Sequence, residues 1–468
     1  MNEKLFKAFN PVSSKQWKQK IQFDLRGADY NETLVWATLE GITVKPFYHA
    51  DDLKGVPTFA IAEDHEWRIA DSIYCGHVPL AKKKMLDVLA RGAEVLLLEI
   101  PDSTIVWKDL LDGIPLETTP IHFNFHFLDR SCLARLLAFA GKKHRFYLNL
   151  DILGHLARTG NWYHNLKTDY QIIDELWLEE SVQSCLGIFA IDVALYQNAG
   201  ANMVQQLAYG LAQAQNYLDH ISNTLSNRKE STFSPVFKVA IGSNYFFEIA
   251  KLRALRWLWY TLAEAYGQTT PTCHIVAFPS KRNKTIYDPN VNMLRTTSEC
   301  MSAVLGGADT IGNLSYDALY HKDNEFGRRI ARNQLLVLKE ESYLGQTAHA
   351  ANGAYYIDSL TAQLAEKGLA LFKQLMGSDG FLDALKKGQL QKKIAASADK
   401  EQALFDAGKI VAVGTNRYPN EKERIKGTLE LYPFAKTNPR KTLLVPILEQ
   451  RLAASLEQKR LEQEPETI

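Results

Sequence analysis

The sequence of 468 residues contains little cysteine, and what it has is not arranged for a disulfide framework or a metal. The five cysteines are an odd number, and none forms a CxxC pair: Cys75, Cys132, Cys185, Cys273 and Cys300. Most lie in apolar surroundings, which predicts buried, reduced thiols in a cytoplasmic protein. Metal-ligand spacing is also absent, so we expect no metal site.

The chain also lacks features that would direct it to a membrane or to nucleic acid. No apolar run approaches the ~18–20 residues that cross a bilayer. Residues 1–20 lack the apolar core of a signal peptide. A net charge of +1 gives no overall attraction for nucleic acid or for anionic lipid. We therefore expect a cytoplasmic protein that binds neither membrane nor nucleic acid.

What the chain does have is an ordinary globular composition, with 46% hydrophobic and 23% charged residues. Three regions can be distinguished. Residues 1–90 are mixed and are interpreted as an N-terminal extension. Residues 91–418 alternate between strand and helix patterns and are interpreted as the main domain. Residues 419–468 end in a charged helix pattern, which predicts a helical tail.

Eight short apolar runs in the middle region are typical of strands that are buried on both faces. They are 93–100, 121–128, 145–152, 186–195, 237–243, 273–279, 308–314 and 409–416. Amphipathic helix patterns lie between most of them. Eight strand–helix units in succession favour an α/β fold with an eight-stranded parallel (β/α)8 barrel, a TIM barrel. A doubly wound sheet remains the alternative, because strand order cannot be read from the sequence.

In such a barrel the functional residues lie where strands end and loops begin. Polar residues at these places are Asn124, Asp129, Asp151, Tyr196, Gln197, Ser243, Asn244, Ser280–Lys284, Asn313 and Asn416. The basic loop Lys281, Arg282, Asn283 and Lys284 could hold an anionic ligand. Its charges could equally pair with carboxylates. We favour this second interpretation, because runs of charged residues usually lie on solvated faces and bind no ligand. Asn244 stands where it could cap the following helix.

Five segments, taken together, resemble the methylmalonyl-CoA mutases. They are residues 34–53, 196–218, 240–259, 288–311 and 326–342, and the match runs in order to about residue 418. The resemblance implies a barrel with a coenzyme A thioester threaded through it. It also implies adenosylcobalamin held over the barrel mouth by a separate C-terminal domain, and radical interconversion of methylmalonyl-CoA and succinyl-CoA.

Three features depart from the catalytic members of that family. Those members carry a histidine in the loop after the sixth predicted strand, which bonds the thioester carbonyl, whereas this sequence has no histidine from Ile275 to Thr297. No DxHxxG motif, which supplies their cobalt-ligating histidine, occurs in this sequence. The residues after 418 are also fewer than the roughly 100 that a doubly wound cobalamin domain needs. The family segment WxIRQY is matched by Trp67 to Ser72, with Ala70 for the arginine and Ser72 for the tyrosine.

These departures make the chain similar to the small, non-catalytic type of subunit in heterodimeric bacterial mutases. The resemblance then implies a large subunit as partner, which carries the active site and adenosylcobalamin, and no cofactor on this chain. It implies that residues 36–48 contact the partner as an extended arm. Without the partner, a homodimer is an open alternative.

Two other functions stay open. The chain could be a catalytic acyl-CoA mutase barrel that uses a cobalamin domain on a separate chain, or a barrel that binds a coenzyme A ester without chemistry. The residues that would contact coenzyme A or line the barrel mouth are Tyr196, Gln197, Asn244, Lys281, Arg282, Asn283 and Lys284. No catalytic or metal-binding residue is predicted.

Overall fold

The computed structural model describes residues 8–224, 233–435 and 440–465. Eight parallel strands follow one another around a closed barrel, and the last pairs with the first. They are β1 Arg68–Tyr74, β2 Val95–Ile100, β3 Pro120–Phe125, β4 Arg145–Leu150, β5 Gly187–Asp192, β6 Val236–Ile241, β7 His274–Pro279 and β8 Thr310–Gly312. The predicted eight-stranded parallel barrel is therefore confirmed, and a doubly wound sheet is excluded.

Helices follow the strands on the outside of the barrel and continue at both ends of the chain. Before and within the first half of the barrel they are α1 Ser14–Asp24, α2 Tyr30–Leu34, α3 Val78–Ala90, α4 Trp107–Leu111, α5 Arg130–Ala140, α6 Ile152–Thr159, α7 Leu166–Leu178 and α8 Glu180–Gln183. The later ones are α9 Val193–Asn198, α10 Met203–Thr224, α11 Tyr245–Ala265, α12 Val291–Leu305, α13 Glu325–Leu336, α14 Tyr355–Met376, α15 Gly380–Lys386, α16 Gln389–Asp406 and α17 Ala454–Gln463. None of these described helices is both long and apolar enough to cross a membrane.

The main core lies between the barrel wall and the surrounding helices. On α11, Trp259 is fully buried and packs edge-on against Phe237 of β6, with ring centroids 5.9 Å apart. Its indole N–H donates to the Thr272 carbonyl at 2.9 Å, so the one polar atom of the ring is satisfied. Helix α14 packs across α10 and α11 as a second outer layer.

Two strand predictions need correction. The barrel begins with β1 at Arg68–Tyr74, which the sequence pattern did not identify as a strand. The run at 409–416 is not a strand but a turn, closed by the Asn416 side chain, which accepts from the Ala412 N–H and donates to the Ile410 carbonyl. As a result the strand at 273–279 is the seventh of the barrel, not the sixth.

Polar residues explain why β1 was missed. Asp71 is buried and pairs with Arg332 of α13 at 2.9 Å, while Ser72 is exposed. Asp71 interrupts the apolar pattern of the strand, and the arginine that neutralises it lies more than 250 residues later in the chain. The sequence pattern therefore does not indicate a buried strand here. Trp67, which leads the segment compared with WxIRQY, is buried at the start of this strand.

Both ends of the described chain lie on the barrel. Trp36–Ala37 pairs antiparallel with Thr43–Val44, and the Trp36 ring contacts Phe247 of α11 at 5.9 Å between centroids. The predicted helical tail is confirmed as α17, but its helix begins only at Ala454. Before it the tail runs along the C-terminal end of α6, where the N–H groups of Leu444 and Ile447 donate to the carbonyls of Gly160 and Ala157.

Candidate functional site

The carboxyl ends of all eight strands open on the same side of the barrel, where TIM-barrel proteins carry their binding sites. A cleft of about 1010 Å³ lies there, to one side of the barrel axis. Its floor is formed by residues that follow β5, β6 and β7, including Gln197, Asn244 and Arg282. Residues 36–40 and the turn 409–413 form its walls. We call this space the mouth cleft.

The β7 loop, residues 280–288, contains the predicted basic group. Lys284 is buried and forms an ion pair with Glu299 of α12 at 2.7 Å. The Asn283 amide donates to the same carboxylate at 2.6 Å and accepts from the Lys284 ammonium group at 2.7 Å. Burial lowers the pKa of Lys284 and raises that of Glu299, while the contact between them opposes both shifts. Lys284 and Asn283 are thus engaged within the chain.

Arg282 of the same loop is also largely engaged. Its Nε donates to Glu401 of α16 at 2.6 Å, and its Nη1 donates to the Gln450 carbonyl at 2.8 Å. Lys281 is exposed, and its side chain has no partner among the described residues. Of the three cations in the loop, only Lys281 has a fully unpaired charge.

The remainder of the β7 loop holds the C-terminal tail. The Ile286 N–H donates to Glu457 at 2.9 Å, and the Tyr287 hydroxyl donates to Glu464 at 2.6 Å. The Arg460 guanidinium lies 3.8 Å from the centroid of the Tyr287 ring. Arg282 and Lys284 are thus paired with carboxylates, as the favoured interpretation of the sequence expected, and the rest of the loop is the place where the tail is attached.

Tyr196 and Gln197 do not end a strand, as the sequence pattern predicted, but lie on the short helix α9 that follows β5, and they differ in position. Tyr196 is fully buried in the core, where its hydroxyl donates to Gln213 at 2.6 Å, and it does not line the cleft. Gln197 does line the cleft, but both ends of its amide are bonded. Its Nε2 donates to Glu248 at 3.2 Å, and its Oε1 accepts from Lys251 at 2.8 Å.

The β6 loop, residues 242–244, is different from the β7 loop. Asn244 is at the N-cap position of α11, as predicted, but its side chain makes no capping bond. The expected capping contact is therefore absent. No hydrogen bond joins the side chain of Asn244 or of Ser243 to any other described residue, and both line the mouth cleft.

The centre of the barrel, on its axis, is filled. A cluster of buried side chains separate from the main core occupies the lumen: Ala70, Val95, Leu97, Tyr147, Ala190, Val236 and Val276, with Phe278 packed against them. The His122 ring stacks on Tyr147 with centroids 4.0 Å apart, and His274 lies 4.6 Å from Tyr147. Side chains of this size fill the interior as a packed core.

Above this plug lies a polar layer that the sequence analysis identified only in part. Glu99 of β2 accepts from the Asn124 amide at 2.7 Å and contacts the His126 ring at 3.1 Å. The bond to Glu99 raises the pKa of His126. Asp151 does not belong to this layer but faces α10, where it accepts from the Tyr217 hydroxyl at 2.7 Å, yet burial raises its pKa to about 6.

The other predicted strand-end residues have local structural partners. The Asp129 carboxylate caps α5 by accepting from the Cys132 N–H, and the Asn313 amide donates to the Ala331 carbonyl. The sequence analysis did not predict Glu99 and His126 as site residues. A single acidic residue inside an apolar run does not indicate a polar site, and the contact with His126 forms only because the barrel places the next strand beside β2. Among the described residues, no group of three or more His, Cys, Asp or Glu side chains is arranged to hold a metal ion.

Comparison with known proteins gives a consistent result. The family model described as methylmalonyl-CoA mutase matches residues 102–460. The methylmalonyl-CoA mutase small subunit of Porphyromonas gingivalis is 33% identical, over 90% of this chain and 72% of its own length. The methylmalonyl-CoA mutase of Cereibacter sphaeroides is 28% identical, over 87% of this chain and 64% of its own length. The small subunit from Streptomyces virginiae is 28% identical, over 89% of this chain and 72% of its own length.

Proposed function

This chain belongs to the methylmalonyl-CoA mutase family, and from that premise we propose that it is a small, non-catalytic subunit. Its partner is a large subunit that interconverts methylmalonyl-CoA and succinyl-CoA with adenosylcobalamin. Two of the similar proteins are named as small subunits, which supports this assignment. The chain stabilises its partner by binding only the folded form.

The filled lumen is the observation that carries the proposal. A coenzyme A thioester threaded along the axis would have to displace buried side chains such as Leu97, Tyr147 and Val276. Each large side chain removed from such a core costs about 2–5 kcal/mol. Threading therefore opposes the packing of this barrel, which supports a structural role over either alternative in which the lumen binds the thioester.

Adenosylcobalamin is assigned to the partner. In the described part of the chain, no histidine lines the mouth cleft. Three histidines near the open side also have partners of their own: His77 caps α3, His126 contacts Glu99 and His164 contacts the Leu128 carbonyl. The residues at the mouth therefore do not fit a cobalt ligand.

A cytoplasmic location is part of the same proposal. The five cysteines are free, and four of them are buried. Burial raises the pKa of the Cys75 and Cys273 thiols to about 12, which keeps both protonated and unreactive. Free, protected thiols are typical of a reducing compartment.

Co-expression with a tagged large subunit of the family tests the assignment. We expect a one-to-one complex, with mutase turnover that depends on the large subunit and none from this chain alone. Failure of the two chains to co-purify would contradict the subunit role. Turnover by this chain mixed with a detached cobalamin-domain protein would instead establish the catalytic alternative.

A further inference from the structure

The mouth cleft gathers several exposed apolar side chains around one concave surface. The large apolar residues that line it and remain exposed are Trp36, Leu39, Leu294, Val411 and Val413. Leu294 is 72% exposed and Trp36 is 52% exposed. Single exposed apolar residues need no explanation, but a group of them around a cleft of about 1010 Å³ is typical of a ligand site.

The polar floor of the cleft offers donors that the chain itself does not use. Arg282 is 6% exposed, and its Nη2 has no hydrogen bond to another described residue, although its other two nitrogens are bonded. The side chains of Ser243 and Asn244 are likewise unbonded. Lys409, on the turn that forms one wall, has no side-chain partner within the described ranges.

Two of the three carboxylates that line the cleft are, by contrast, ion-paired. Glu248 is ion-paired with Lys251 at 2.5 Å, and Glu401 with Arg282 at 2.6 Å. Burial raises the pKa of Glu40, which disfavours its charged form. Ser243 and Asn244 can donate as well as accept, Arg282 Nη2 and Lys409 can only donate, and two of the three lining carboxylates are already paired. This imbalance favours an anionic ligand.

We propose that the mouth cleft binds a small anion joined to an apolar chain, such as a medium-chain carboxylate. The anionic group is bound by Ser243, Asn244 and Arg282 Nη2. The apolar chain lies against Trp36 and Leu294. Because the cleft lies beside the filled lumen and not along it, this site does not depend on whether the subunit is catalytic.

Titration calorimetry with sodium octanoate on the purified full chain tests the site. Octan-1-ol keeps the chain without the charge, and inorganic phosphate keeps a charge without the chain. We expect saturable binding of octanoate and at least tenfold weaker binding of the other two. Octanol binding as tightly as octanoate would overturn the anion contact, and equal binding of phosphate would overturn the apolar contact. No heat from octanoate at millimolar concentration would remove the site.

Two variants locate the binding. Leu294→Asp places a negative charge on the apolar wall, and Leu443→Asp is its control because Leu443 is 73% exposed and does not line the cleft. We expect L294D to abolish octanoate binding and L443D to leave it unchanged. Asn244→Ala removes one hydrogen bond to a charged group and should weaken binding about tenfold. Equal affinity in L294D, L443D and the unmodified chain would overturn the assignment to this cleft.

Discussion

The β7 loop and the β6 loop lie side by side at the mouth of the barrel and have opposite character. The β7 loop carries three cations in four residues, but Lys284 and Arg282 are bound to Glu299 and Glu401. The β6 loop carries no charge, and its Ser243 and Asn244 side chains are open to the cleft. A run of charged residues can thus have a structural role, while a neighbouring uncharged loop provides the polar groups that are free to bind a ligand. The difference arises because the fold has already paired the charges of the first loop.

The largest expected effect comes from breaking the paired loop. Glu299→Gln leaves the buried Lys284 ammonium group without a countercharge, so we expect a loss of about 3–5 kcal/mol in the free energy of unfolding. Guanidinium unfolding followed by circular dichroism measures it. Glu117→Gln is the control, since the Lys143–Glu117 pair is exposed and its removal should cost less than about 1 kcal/mol.

A double variant sharpens that result. Replacing Lys284 by Met and Glu299 by Leu removes both charges, so it should recover much of the stability lost in E299Q. An E299Q protein as stable as the E117Q control would mean that Lys284 is hydrated, and the contrast between the two loops would then be lost.

The open loop should respond much less. Asn244→Ala removes a side chain that makes no bond to other described residues, so the free energy of unfolding should change by less than about 0.5 kcal/mol. The same unfolding measurement applies. A loss above about 1 kcal/mol, which is typical of a real N-cap, would show that Asn244 is engaged and that the two loops are alike.

The smallest effect concerns the Glu99–His126 pair. Its side chains contact each other, as the charged groups of the β7 loop do, but they are partly open to solvent, as the side chains of the β6 loop are. The pKa of His126 is raised, so its contribution to stability is present below about 6.5 and is lost as the pH rises through the folded pKa. Glu99→Gln should move the His126 titration, followed by NMR, to lower pH. A titration that does not move would mean that the contact is absent in solution.

How far the sequence could predict the molecule depends on how local each signal is. Strands such as β2 and β4 consist mostly of apolar residues, so their burial on both faces was predictable. β1 was not predicted, because Asp71 interrupts its apolar pattern and the partner that allows its burial, Arg332, belongs to a helix distant in the sequence. The pairing of Arg282 with Glu401 at the mouth could not be predicted for the same reason, since the two residues are far apart in the sequence. The position of Asn244 before α11 was predictable, but the absence of its capping bond was not.

The attachment of the tail to the β7 loop also has a consequence for the order in which the molecule can be completed. Ile286 bonds to Glu457 and Tyr287 to Glu464, across separations of 171 and 177 residues. During synthesis, the seventh strand leaves the ribosome long before either glutamate has been made. Until then, the Ile286 N–H and the Tyr287 hydroxyl are hydrogen-bonded to water. The mouth of the barrel therefore takes its final form only after nearly all the described chain has been translated.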